Sequence, residues 1–169
     1  PADAKKVQQD PVVSPIEMPM NDEIQQVNGV SKATNKETQR LSNKLADATK
    51  AMVKKNWKTI YVKAVPTGDK VAVRFYYVDT RGQVHNGQVI RNTGLSKGKY
   101  MTGSLRQAEA LQELVNHLER TGQEVPSSID IIITQGGYRS KTIFNYDEDT
   151  SNLPAYQQQY EQQNFPTMK

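Results

Sequence analysis

Between Lys36 and Lys55, Leu41, Leu45, Ala48 and Met52 recur at steps of four, three and four with lysines on the opposite face, the period of an amphipathic helix. At Trp57 the rhythm changes. Ile60, Val62 and Ala64 alternate with Tyr61, Lys63 and Val65 until Pro66, which predicts a first strand. Thr67-Gly68-Asp69-Lys70 has turn chemistry, and Lys70 to Asp79 alternates again, predicting a hairpin. Asp79 to Gly82 is a second turn, followed by a third strand over Gln83–Arg91 that Gly87 weakens. The glycine-bearing stretch 92–103 then reads as a loop. Ser104 as N-cap with Gln107 three residues on predicts a capping box opening a second helix to Arg120. Its apolar stripe is Leu105, Ala108, Leu111, Leu114, Val115 and Leu118, and Gly122 stands where a left-handed C′ residue is wanted. Ile129–Thr134 and Tyr138–Tyr146 flank Gln135-Gly136-Gly137 as a second hairpin, and Pro154 opens a short terminal helix to about residue 163.

The order is therefore α-β-β-β-α-β-β-α. Runs of strands separated by helices predict an α+β domain, an antiparallel sheet of about five strands with helices packed on one face. Residues 1–20 hold Pro1, Pro11, Pro15 and Pro19, and residues 21–40 offer only Ile24, Val27 and Val30 as spaced apolar positions. Proline fixes φ and disfavours helix before it, so residues 1–35 read as a disordered or extended arm and residues 36–169 as a single domain. Pro1 in place of an initiating Met points to processing, of which a cleaved leader is one form.

Composition narrows the function classes. The 169 residues are 36% apolar and 24% charged, which suits one ordinary core, and no apolar run approaches the ~20 residues needed to cross a bilayer. No cysteine is present, which removes disulfides, thiolate metal sites and cysteine nucleophiles while fitting cytosol and periplasm equally. The formal charge of +4 is unevenly spread: −1 over residues 1–40, +9 over 41–100 and −4 over 101–169.

Candidate chemistry is sparse. His85 and His117 lack a second ligand at metal-binding spacing and read as structural. Gly94, Gly98 and Gly103 do not make a phosphate loop, and no serine sits in a nucleophile elbow. The basic middle, Lys50, Lys54, Lys55, Lys58, Lys63, Lys70 and Arg74, lies near Trp57, Tyr61, Tyr76 and Tyr77. Cations beside stacking rings could hold single-stranded nucleic acid, against the blander reading of cross-strand pairs with solvated lysines. Asp147-Glu148-Asp149 leaves the last strand as three adjacent carboxylates, suited to a solvated loop, a helix start or a positively charged protein groove.

Trp57-Lys58-Thr59-Ile60-Tyr61-Val62, Arg74-Phe75-Tyr76-Tyr77, Thr121-Gly122-Gln123-Glu124 after Leu111–Leu118, and Ile143-Phe144-Asn145-Tyr146-Asp147-Glu148-Asp149 occur in that order. Over about residues 40–150 the chain resembles the YezG/EsaG-like immunity protein family. The resemblance implies an antitoxin that protects a bacterium from its own secreted polymorphic toxin, often a nuclease. It implies no catalysis, no cofactor and no metal, with a toxin as partner and no membrane. Desolvated aromatics dominate interface energetics. Trp57, Tyr146, Tyr156 and Tyr160, with Asp147, Glu148 and Asp149, are accordingly the expected partner-binding residues. The expected compartment is the cytoplasm, or the periplasm after loss of a leader. The competing reading is a nucleic-acid-binding module built on the basic middle.

Overall fold

A computed structural model describes residues 16–17, 32–67, 70–136 and 139–168. In chain order the elements are β1 (Ile16–Glu17), α1 (Lys32–Lys50), β2 (Trp57–Thr67), β3 (Lys70–Asp79), β4 (Val84–Asn86), α2 (Ile90–Thr93), α3 (Lys97–Arg120), β5 (Ser128–Thr134), β6 (Arg139–Asn145) and α4 (Leu153–Asn164). The sheet is antiparallel throughout, in the order β1-β6-β5-β2-β3-β4. From α1 onward the expected α+β order is present, with five strands and the four-residue α2 as an addition. The sixth strand comes from the predicted arm: Ile16 and Glu17 pair with Phe144 and Ile143 at the sheet edge. The rest of that arm up to residue 31, Gly68-Asp69 of the first turn and Gly137-Tyr138 of the last lie outside the described residues.

Strand alternation sends neighbouring side chains to opposite faces. Ile60, Val62 and Ala64 of β2, Phe75 and Tyr77 of β3, and Ile129, Ile131 and Ile133 of β5 share one face. There they form a continuous buried layer with Leu41 and Leu45 of α1 and Leu111, Leu114 and Leu118 of α3. Polar residues on α1 enter this layer by satisfying themselves locally. Ser42 and Thr49 donate to the carbonyls four residues earlier, at 2.8 and 3.0 Å. The terminal helix α4 lies across the opposite face, over Tyr61, Lys63 and Tyr76.

Three expected boundaries are corrected. Helix α1 stops at Lys50 instead of continuing to Lys55, because Met52 and Val53 turn into the core and the Lys54 N–H donates to the Thr93 carbonyl. The third strand is only Val84–Asn86 instead of Gln83–Arg91. Gly87 sits so close to the Phe75 ring that a Cβ would lie 2.4 Å from it, and the Gln88 side chain replaces the ladder by bonding both the N–H and the carbonyl of Phe75.

The third correction concerns α3, which begins at Lys97 under a Ser96 cap, not at Ser104. The expected capping box does not form: Gln107 is buried and its Nε2 donates to Thr49 Oγ1 at 2.9 Å. Of the supposed loop glycines, Gly98 and Gly103 are inside the helix, and Gly94 caps α2 with φ +83. Gly103 faces Met52, just past the end of α1, so closely that a Cβ would come within 2.8 Å of the Met52 side chain, a contact that favours a residue without one. Leu105, expected in the apolar stripe, is instead 59% exposed. Gly122 follows α3 with φ +72, as the sequence predicts.

Candidate functional site

The polar face of the sheet is organised around a buried lysine. Lys63 on β2 stands opposite Asp130 on β5, and antiparallel register places both under α4. Lys63 Nζ lies 3.1 Å from Ser128 Oγ and 3.2 Å from Asp130 Oδ2, and its ammonium faces the Tyr156 and Tyr160 rings at 5.4 and 5.1 Å from their centroids. Burial opposes the charge, but Asp130, Tyr156 and Glu148 outweigh it and raise the Lys63 pKa. Asn145 of β6 closes the network, its Nδ2 donating to Asp130 Oδ2 at 2.7 Å and to Ser128 Oγ at 3.0 Å.

Helix α4 is fastened at two further points. Glu161 Oε2 accepts from Arg74 Nη2 at 2.7 Å and from the Tyr76 hydroxyl at 2.6 Å. Phe165, just past the helix, is buried against Tyr61, Tyr76 and Tyr160, with ring centroids 4.9 to 5.9 Å apart. At the other end Asn152 caps the helix by accepting from the Ala155 N–H, and Pro154 occupies its first turn.

The expected partner-binding residues divide. Asp147 and Asp149 are exposed; Asp147 holds φ +66, and the Asp149 carboxyl accepts from the Ser151 hydroxyl and N–H, which lowers its pKa. Glu148 also has surface exposure, but its Oε1 accepts from the Ser128 and Tyr156 hydroxyls and ties the loop to the lysine network. Tyr156 and Tyr160 are drawn onto the sheet by that network. Burial pushes the Tyr156 hydroxyl up to about 12 and that of Tyr160 up further. Trp57 and Tyr146 are half-buried against the apolar core. The structure thus gathers Glu148, Tyr156 and Tyr160 into one network and leaves Trp57 and Tyr146 apart from it.

Sequence reading missed Lys63, Ser128, Asp130, Asn145, Arg74 and Glu161 as one constellation. The available signal was a Lys in Val62-Lys63-Ala64 and an Asp in Ile129-Asp130-Ile131, each a charge at the centre of an apolar run.

The basic middle does not form the stacking platform considered above. Tyr76 and Tyr77 are 0% and 2% exposed, Phe165 covers Tyr61, Lys63 is buried and Arg74 is paired with Glu161. Both histidines have partners: His117 Nε2 meets Thr38 Oγ1 at 2.8 Å, and His85 Nε2 meets Asp79 Oδ2 at 2.7 Å while stacking on Tyr77. That His85 contact, with backbone N–H donors from Gln83 and Arg81, holds the Asp79 carboxyl down to about 2.

Among the described residues no three His, Asp or Glu side chains gather in a metal-binding group, and no helix is long and apolar enough to cross a membrane. No curated protein matches the chain. The family model described as Immunity protein YezG-like matches residues 38–168, from the second turn of α1 through the end of α4, and the chain belongs to that family.

Proposed function

We propose that this chain is a non-enzymatic antitoxin that neutralises a cognate secreted toxin, a nuclease, by stoichiometric occlusion. Family membership over residues 38–168 carries this reading and suggests the immunity role. The choice of a nuclease rests on charge. A nuclease presents a cationic surface built for phosphate, and Asp147 and Asp149 project from an acidic loop anchored through Glu148. In this reading Asp147 and Asp149 touch the toxin. Glu148, Tyr156 and Tyr160 position the loop and α4, and the outer edge of Tyr146 completes the contact, while Trp57, at the other end of β2, lies away from it.

Titrating the cognate toxin domain with the purified chain tests it. Activity should vanish near one equivalent, with no change to either protein's covalent structure. Inhibition by far less than one equivalent would show turnover and sink the occlusion mechanism, and undiminished activity in excess chain would sink the antitoxin reading.

A further inference from the structure

A groove of about 1050 Å3 runs between α1 and α3 on the side of α1 and α3 away from the sheet. Its floor is apolar and built of small or flexible residues, among them Ala48, Ala51, Met52, Leu95 and Ala110. The two helices are antiparallel, since Lys44 meets Glu113, Thr49 meets Gln107, and Met52 meets Gly103. The groove's charges are therefore sorted along its length. Lys54, Lys99 and Arg106 lie towards one end, while towards the other Asp47, Glu109 and Glu113 outnumber Lys44, which pairs with Glu113 at 2.7 Å. Arg106 and Glu109 make no ion pair with any described residue.

Beside the groove stands a ridge. Met101 and Leu105 are 58% and 59% exposed, the large apolar side chains most open to water among the described residues. At 3.6 residues per turn they fall one above the other, on the same flank of α3 as the groove-lining positions Gly98, Glu109 and Gln112.

We propose that this face is a two-fold interface between two copies of the chain. A two-fold contact requires one surface to carry both the protrusion and the recess it fills. With the two α3 helices antiparallel, each Met101–Leu105 ridge enters the other copy's groove, and the same rotation sets each basic end against the partner's acidic end. A parallel arrangement would bring like charges together, so the charge order selects the antiparallel one. The inference is independent of the toxin reading, because the occupant is the chain itself.

Sedimentation equilibrium of the full chain from micromolar to hundreds of micromolar tests it. The expected result is a monomer–dimer equilibrium. Leu105→Glu should weaken the dimer at least about tenfold, because a charge replaces a central apolar anchor. Arg106→Glu and Glu109→Arg should each weaken it alone, and mixing those two variants should restore a heterodimer. All three positions are exposed or at the groove rim, so an unchanged far-ultraviolet circular-dichroism spectrum confirms folded variants. The restored mixture separates lost pairing from lost folding in any case. A wild-type chain that stays monomeric throughout overturns the proposal, and if Leu105→Glu then abolishes toxin inhibition, the toxin occupies the face instead. A dimer unmoved by all three substitutions overturns it too.

Discussion

On one face of the sheet Ile60, Val62, Phe75, Ile129 and Ile131 meet α1 and α3 in an unbroken apolar layer, whereas on the other Lys63, Asp130, Arg74 and Glu161 are covered by α4 and its aromatic rings. Burial of apolar area is non-directional, so the first face needs only matching volume and periodicity. The second needs each donor to find its acceptor, since a buried charge without a partner is strongly unfavourable. One sheet thus has a side that tolerates repacking and a side that depends on particular charges and on their protonation.

The largest effect should come from a cavity on the apolar side. Leu114 is fully buried between α3 and the sheet, and Leu114→Ala should lower unfolding stability by about 3–4 kcal/mol in urea titration, with no change between pH 7 and 9. A loss below about 1 kcal/mol would mean the layer collapses around the gap and is less close-packed than its burial implies.

The polar side should respond to charge instead of volume. Asp130→Asn preserves shape but leaves the Lys63 ammonium, 5% exposed, without its cross-strand carboxylate. Removing one partner of a buried pair typically costs about 3–5 kcal/mol, and the partial exposure of Asp130 argues for about 2–3 here. The double variant Lys63→Met/Asp130→Asn should recover much of that loss, because no orphaned ammonium remains. A double variant as unstable as the two losses combined would refute the coupling.

Titration should separate the faces further. The Tyr156 hydroxyl is raised in the fold to about 12 from 10.0, chiefly by burial, so folding favours the neutral phenol. Its contribution is fully present below pH 10 and is lost as pH rises from 10 towards 12, amounting to on the order of 2 kcal/mol. Lys63, Tyr76 and Tyr160, also raised, act in the same direction at alkaline pH. Urea unfolding across this window should steepen the loss for wild type and for Leu114→Ala equally, and Tyr156→Phe should flatten it. Parallel slopes for all three would remove Tyr156 from the account.

The same contrast explains what could be read from sequence. The apolar face was largely legible: Leu41, Leu45 and Met52 of the four-three-four steps, the alternation of β2 and β3 and the apolar run of β5 supply residues that the core buries, whereas Ala48 lines the groove. Where glycine was taken as a loop signal the reading failed, because Gly98 and Gly103 serve helix α3, the latter at its close approach to Met52. The network was not legible, since Arg74 and Glu161 are separated by 87 positions and only the sheet register and the course of α4 bring them together. A charge in an apolar run marks a face, but it does not name the partner.

The smallest effect on stability, and the one that bears on function, is at the loop where the two faces meet. Asp147 is exposed with φ +66, a conformation that Asn shares more readily than other non-glycine residues, so Asp147→Asn removes charge without forcing the backbone. Its unfolding free energy should stay within about 0.5 kcal/mol of wild type, as expected of a surface change. Toxin association should slow and lose part of its salt dependence, because an exposed charge at an interface rim acts mainly on encounter. Stopped-flow association at low and high salt reads this directly. Glu148→Gln is the contrast: it touches Ser128 and Tyr156, so it should lower stability first and association only through the displaced loop. If Asp147→Asn associates at the wild-type rate at every salt concentration while the wild-type chain still inhibits, the toxin meets another surface and the acidic loop is only a support for α4.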